Sequence, residues 1–180
     1  MLTYLLVDGE NIDRTLGGIL DRKPDPSDRP RWQQLVEFAR RQWQRPVRAL
    51  FFINATRGLH APFVQALMAL GYRPIPLTGA ADEKVVDIAI QRTLHALADR
   101  EGDVLLASHD ADFVAEMTAL AASDDRRVGV VGFSELVSQA LRDVPGIEIF
   151  DLETDADAFD VELPRVRVIP LDRFDPTKFL

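Results

Sequence analysis

The stretch Gly102–Phe113, GDVLLASHDADF, restricts the fold more than any other part of the chain. Val104–Ala107 is a short apolar run behind a glycine, and it stops abruptly at Ser108, His109, Asp110, Ala111 and Asp112. Apolar runs of that length, bounded in that way, read as buried strands. Phe113, Met117, Leu120 and Ala121 then recur at helical spacing. Asp110 and Asp112 are therefore expected at a strand-to-helix corner, where a parallel sheet presents its chemistry. An Asp at such a corner also caps the free N–H groups of the first helical turn. The role of the pair depends on whether other carboxylates reach the same edge.

Leu2–Val7 reads as a second buried strand, followed by Asp8-Gly9. A strand apolar on both faces belongs in the middle of a parallel sheet. Arg14–Pro30 carries three prolines and the adjacent Gly17 and Gly18, and is expected as an irregular surface loop with a short helical turn. Arg31–Gln44 is a helix with Trp32, Leu35, Val36, Ala39 and Trp43 on one side. Strands are expected at Val47–Ile53 and at Tyr72–Leu77, the latter an edge strand because Pro74 and Pro76 cannot donate ladder hydrogen bonds. Between them His60–Leu70 is a helix closed by Gly71. The longest helix is Asp82–Arg100, followed by a strand at Gly102–Ser108 and a helix at Asp112–Ala122. A strand at Arg127–Gly132, a helix at Ser134–Leu141 and a short strand at Ile147–Phe150 complete the series. This alternation predicts a three-layer α/β/α sandwich with a mostly parallel sheet over residues 1–150. Residues 151–180 are expected as an acidic C-terminal tail or arm that packs back on the domain or on a second copy.

A chain of 180 residues is long enough for one domain with a sizeable core. It has no cysteine, which excludes disulfides and thiolate metal sites. The N-terminal apolar run has no basic flank, and no stretch approaches the ~20 apolar residues of a membrane span. A cytoplasmic enzyme or binding domain, with no membrane partner, is the expectation. The net charge of −8 argues against holding nucleic acid by bulk attraction. Yet a carboxylate cluster that binds divalent cations inflates that count. The six acidic residues of Asp151–Glu162, uninterrupted by Lys or Arg, add to it.

On the long helix Asp87, Ile90, Leu94 and Leu97 stand at i, i+3, i+7 and i+10, one stripe. Asp87 thus continues a face turned to the sheet, where an unpaired carboxylate is expensive and wants a cation or donors. Lys84 at i−3 offers a counter-charge or a grip on a substrate phosphate. Ligands of parallel sheets collect outside the carboxyl ends of the strands. If the first and fourth strands are neighbours, Asp8, Asp110 and Asp112 meet there, with Asp87 over the same spot. Four carboxylates so placed cannot all ionise without help, and oxygen-only ligation suits Mg²⁺ or Mn²⁺. Asp8 also suits a turn, and Asn11 either orients Asp8 or caps a helical turn. Asn54 and Arg57 follow the second strand and hold a substrate phosphate or line a solvated loop. His60, His95 and His109 share no spacing and read as surface or packing residues. Trp32 and Trp43 fit a buried helix face better than a base-stacking platform.

LLVDGENID, EKVVDIAI and LLASHDADF together resemble the three signature blocks of the NYN domain, a branch of the PIN-like nuclease superfamily, over about residues 2–150. The specific parts are the opening DGEN and the later S-x-D-x-DF. The resemblance implies a parallel sheet of order 3-2-1-4-5 and metal-dependent cleavage of an RNA partner. It places Asp8, Asp87, Asp110 and Asp112 in an acidic metal site, matches Asn11 to the family's Asn after the first strand and Ser108 to its Ser before the Asp pair. Asp8 and Asp110 are expected as the nearest ligands of the ion. His109 stands where relatives often carry Gly, so a side chain there is expected to narrow the approach to the metals. Two other readings fit the same blocks. One is a non-catalytic RNA-binding or assembly module with the acidic tail as its contact. The other is a Toprim-like phosphoryl-transfer domain, in which Glu10 is essential and Asp87 dispensable. A haloacid-dehalogenase-type phosphatase lacks its second Asp after the first strand, and a dinucleotide enzyme lacks its Gly-rich turn.

Overall fold

The computed structural model describes residues 1–180, the side chains of Arg173 and Lys178 excepted. Six strands form one sheet: β1 (Thr3–Asp8), β2 (Val47–Asn54), β3 (Tyr72–Leu77), β4 (Asp103–Ala107), β5 (Val128–Gly132) and β6 (Ile147–Asp151). All neighbours run parallel, in the order β3-β2-β1-β4-β5-β6. The expected order of five strands is present, and β6 extends it beyond β5. Every residue of β1, β4 and β5 is buried, as strands covered by helices on both faces must be. β3, with its two prolines, forms one edge.

The helices are α1 (Gly9–Leu20), α2 (Trp32–Trp43), α3 (Ala61–Ala69), α4 (Val85–Leu97), α5 (Val114–Ala121) and the short α6 (Gln139–Arg142). Side chains alternate across β1, so Leu5 and Val7 pack with Ile12, Leu16, Leu35 and Phe51 on one face. Tyr4 and Leu6 pack with Ile90, Leu94, Phe113 and Met117 on the other. Among the described residues no helix is long and apolar enough to cross a membrane.

Two regions differ from expectation. The first part of the predicted loop, Arg14–Leu20, is instead the second half of α1, which runs through Gly17 and Gly18; the remainder to Pro30 is irregular with one short 3₁₀ turn at Pro26–Asp28, as expected. Tertiary packing overrides the low helix propensity of glycine: Ile12 and Leu16, one turn apart, are both fully buried. The chain folds back tightly enough that a Cβ on Gly17 would meet the Arg22 carbonyl at 3.2 Å. The predicted helix at Ser134–Leu141 is a 3₁₀ turn at Ser134–Leu136 followed by α6.

Beyond β6 the acidic segment packs back on the domain. Leu152, Ala156, Ala158 and Leu163 join the α1/α2 side of the core. The arginines that neutralise this segment come later in sequence. Arg165, its side chain 3% exposed, binds Asp151, Glu135 and Glu153 and lies over the Phe133 ring. Arg167 pairs with Glu153 and Glu162.

Candidate metal centre

β1 and β4 are hydrogen-bonded neighbours, with Val7 opposite Ala107, so Asp8 and Ser108 leave the sheet side by side. Asp8 caps α1: one carboxylate oxygen accepts the Asn11 N–H at 3.1 Å and the other accepts the Ser108 hydroxyl at 3.1 Å. Ser108 Oγ also accepts the Asp110 N–H at 3.3 Å, and Asp110 accepts the Asp112 N–H at 3.1 Å as the cap of the next turn. Asp110 thus caps a turn and offers its carboxylate at this edge at the same time.

α4 brings its first turn to this edge. One oxygen each from Asp87, Asp110 and Asp112 lie within 4.8 Å of one another. Asp87 is half-buried, with its side chain 16% exposed, and not in bulk solvent. Asp8 stands outside this trio, almost wholly buried behind it. The sites still interact: burial first, then the Asp87 charge, push the Asp8 carboxyl up to about 6 against the pull of its Asn11 and Ser108 hydrogen bonds. Burial, with the charges of Asp110 and Asp112, also raises the Asp87 pKa, although Lys84 opposes the shift.

The lysine sits among the carboxylates. Its ammonium is 2.8 Å from Asp112 Oδ2 and 3.6 Å from Asp87 Oδ2, and the Asp112 hydrogen bond, aided by the surrounding charges, raises its pKa. Its side chain remains 67% exposed, so the ammonium has room to swing away. Of the two roles the sequence offers Lys84, the observed one is counter-charge, shared between Asp87 and Asp112.

Asn54 is the last residue of β2, and Arg57 follows it at the same sheet edge. Asn54 Oδ1 accepts the Thr56 N–H at 3.0 Å in a local turn. Arg57 is exposed and unpaired among the described residues. Gln91, one helical turn after Asp87, donates to the Asp112 carbonyl at 2.9 Å and ties the 3₁₀ turn to α4. Its i+4 spacing from Asp87 was the available sequence signal.

His109 does not narrow the approach to the carboxylates. Its ring turns inward, 6% exposed and stacked on Phe133 at 5.5 Å. Nε2 accepts the Phe133 N–H at 2.7 Å, which places the neutral ring's proton on Nδ1, where it donates to Asn11 Oδ1 at 2.8 Å. Burial first, then the Arg165 charge, lower its pKa to about 4. The ring needs the space over Gly132, where a Cβ would stand 2.7 Å from Nε2.

Three carboxylates from two elements, backed by a fourth, supply only hard oxygen donors, the set that suits Mg²⁺ or Mn²⁺. Comparisons with known proteins agree with this architecture. The NYN domain family model matches residues 2–153. A crystal structure of a protein of unknown function from Vibrio parahaemolyticus is similar in fold, with a TM-score of 0.67 at 19% identity. The match covers 85% of this chain and 93% of that one. No curated protein matches the chain.

Proposed function

Because the chain belongs to the NYN domain family, we propose that it is a divalent-metal-dependent ribonuclease, hydrolysing RNA phosphodiester bonds at the carboxyl edge of β1 and β4. The observation that carries this reading is the convergence of Asp87, Asp110 and Asp112 within 4.8 Å. These three would hold Mg²⁺ or Mn²⁺, with Asp8 behind them as a further acceptor. When bound, such an ion lowers the pKa of a water nucleophile and offsets charge on the leaving 3′-oxygen.

The chain's own residues do the rest. Ser108 and Asn11 hold Asp8 from two sides, so its carboxylate cannot turn away when it loses its proton. Asn11 is itself fixed by His109. Lys84 offsets part of the trio's charge until a cation replaces it, and its long stem then lets the ammonium reach a substrate phosphate. Arg57 supplies a second cation on the same edge, suited to a bidentate phosphate contact. The products would carry a 5′-phosphate.

The deciding experiment is incubation with single-stranded and structured RNA in Mn²⁺, beside the Asp110→Asn protein. Cleavage by the wild-type protein and its loss in the variant are expected. RNA binding without cleavage, together with no Mn²⁺ binding by calorimetry, would instead favour the non-catalytic module.

A further inference from the structure

One strand away from the carboxylates, the same sheet edge opens into a cleft of about 380 Å³. Its wall begins at Gly9 and Glu10, directly after Asp8. A Cβ on Gly9 would stand 2.6 Å from the Phe51 ring, so glycine lets the backbone lie against that aromatic floor. Trp32 and Phe63 pack edge-on against Phe51, with centroids at 4.9 Å and 5.5 Å. Asp8 is level with Phe52 on β2, which puts Asn54 about 7 Å further along the neighbouring strand. One extended strand of nucleic acid can therefore enter both the cleft and the acidic trio.

The polar groups of the cleft are selective. Asp13 and Arg29 satisfy each other at 2.7 Å. Glu10 is exposed, and its carboxylate has no partner among the described residues. Asn54 commits Oδ1 to Thr56, which leaves its Nδ2 as a donor. His60 accepts the Phe63 N–H at 3.3 Å through Nδ1, which fixes the ring at the mouth of the cleft. Arg29 offsets Asp13, so the unpaired Glu10 is what repels a phosphate here, while the aromatic lining favours a flat, uncharged ring. A free carboxylate accepts two adjacent N–H groups, and among the RNA bases guanine alone presents such a pair, N1–H and N2–H, on its Watson–Crick edge. The guanine O6 beside them matches the Asn54 amide.

We propose that this cleft seats an unstacked guanine of single-stranded RNA, read by Glu10 and Asn54, while a neighbouring phosphate lies at Asp87, Asp110 and Asp112. The assignment rests on the ribonuclease reading for its polymer but not for its base. Single-stranded substrate is required, because a paired base cannot turn its Watson–Crick edge to a protein.

The test uses neutral nucleosides without metal, which removes both the protein's net charge and the acidic trio from the measurement. Guanosine is expected to quench the fluorescence of Trp32 saturably, at concentrations roughly tenfold or more below those adenosine needs, the discrimination of one bidentate pair. In Glu10→Gln that ratio should fall towards one, whereas Phe63→Ala should weaken both nucleosides alike; circular dichroism checks that both variants fold. Equal binding of the two nucleosides, absence of saturable quenching, or a ratio unmoved by Glu10→Gln overturns the assignment. Guanosine selection without RNA cleavage in Mn²⁺ leaves the cleft assigned and sinks the ribonuclease reading. Cleavage without guanosine selection does the reverse.

Discussion

Asn11 Oδ1 accepts two hydrogen bonds from one residue, the His109 backbone N–H at 2.9 Å and the ring Nδ1–H at 2.8 Å. The helix that follows β1 is thereby tied to the loop that follows β4. Because Asn11 also donates its own N–H to Asp8, the position of the buried carboxylate is set from below by an imidazole. His109→Ala removes the ring and strands the Phe133 N–H in the core. A loss of about 2–4 kcal/mol is expected in urea unfolding, from the cavity and the unpaired donor together. Gly132→Ala should destabilise for the complementary reason, since its Cβ invades the ring's position.

Two strongly shifted groups act in opposite directions on the stability of the metal-free protein between pH 4 and 6. His109 has a folded pKa of about 4, below its ordinary 6.5, so its contribution is present above pH 6.5 and is lost as pH falls towards 4. Asp8 has a folded pKa of about 6, above its ordinary 3.8, so it costs nothing below pH 3.8 and destabilises increasingly as pH rises to 6. Each shift is worth about 3 kcal/mol, so the two slopes nearly cancel between pH 4 and 6. Asp8→Asn removes one of them. Its stability should then rise with pH across that interval, and thermal melts at pH 4, 5 and 6 that rank the variant otherwise would refute the account.

At pH 7 the same substitution should stabilise the metal-free protein by about 1–3 kcal/mol, because a buried charge is gone. It should also reduce the gain from Mn²⁺. For the wild-type protein that gain is roughly 2.7 kcal/mol at a hundredfold excess over the dissociation constant, read as a shift in Tm. Asp110→Asn should lose the shift altogether.

Lys84 and a divalent cation compete for Asp87 and Asp112. Lys84→Met should therefore bind Mn²⁺ several-fold more tightly in calorimetry while cutting RNA more slowly. Weaker Mn²⁺ binding in the variant would mean that the lysine helps to shape the site instead of filling it.

Arg165 is the hub of the C-terminal segment, and its removal leaves Asp151, Glu135 and Glu153 together without their shared cation. Arg165→Met should cost about 3–5 kcal/mol in chemical denaturation, the usual penalty for breaking a buried pair. Restoring charge with Arg165→Lys should recover only part of it, since one ammonium cannot reproduce the contacts of a guanidinium fork.

The sequence by itself determined the strand and helix alternation, the burial of β1 on both faces, and the placing of Asp8, Asp110 and Asp112 just after strand ends. Those features depend on local period and on strand ends, which are written in consecutive residues. The stripe through Asp87 was legible for the same reason. That β1 and β4 are neighbours, which brings those ends together, is a tertiary fact. Only the tertiary structure decided which carboxylates meet, with Asp87, Asp110 and Asp112 grouped and Asp8 buried behind them under Ser108 and Asn11. It also decided that α1 continues through two glycines, that His109 faces inward, and that Arg165 reaches back to Asp151. Each of these depends on atoms brought together from distant parts of the chain. Burial and charge at such a meeting point exist only once the core has closed around it.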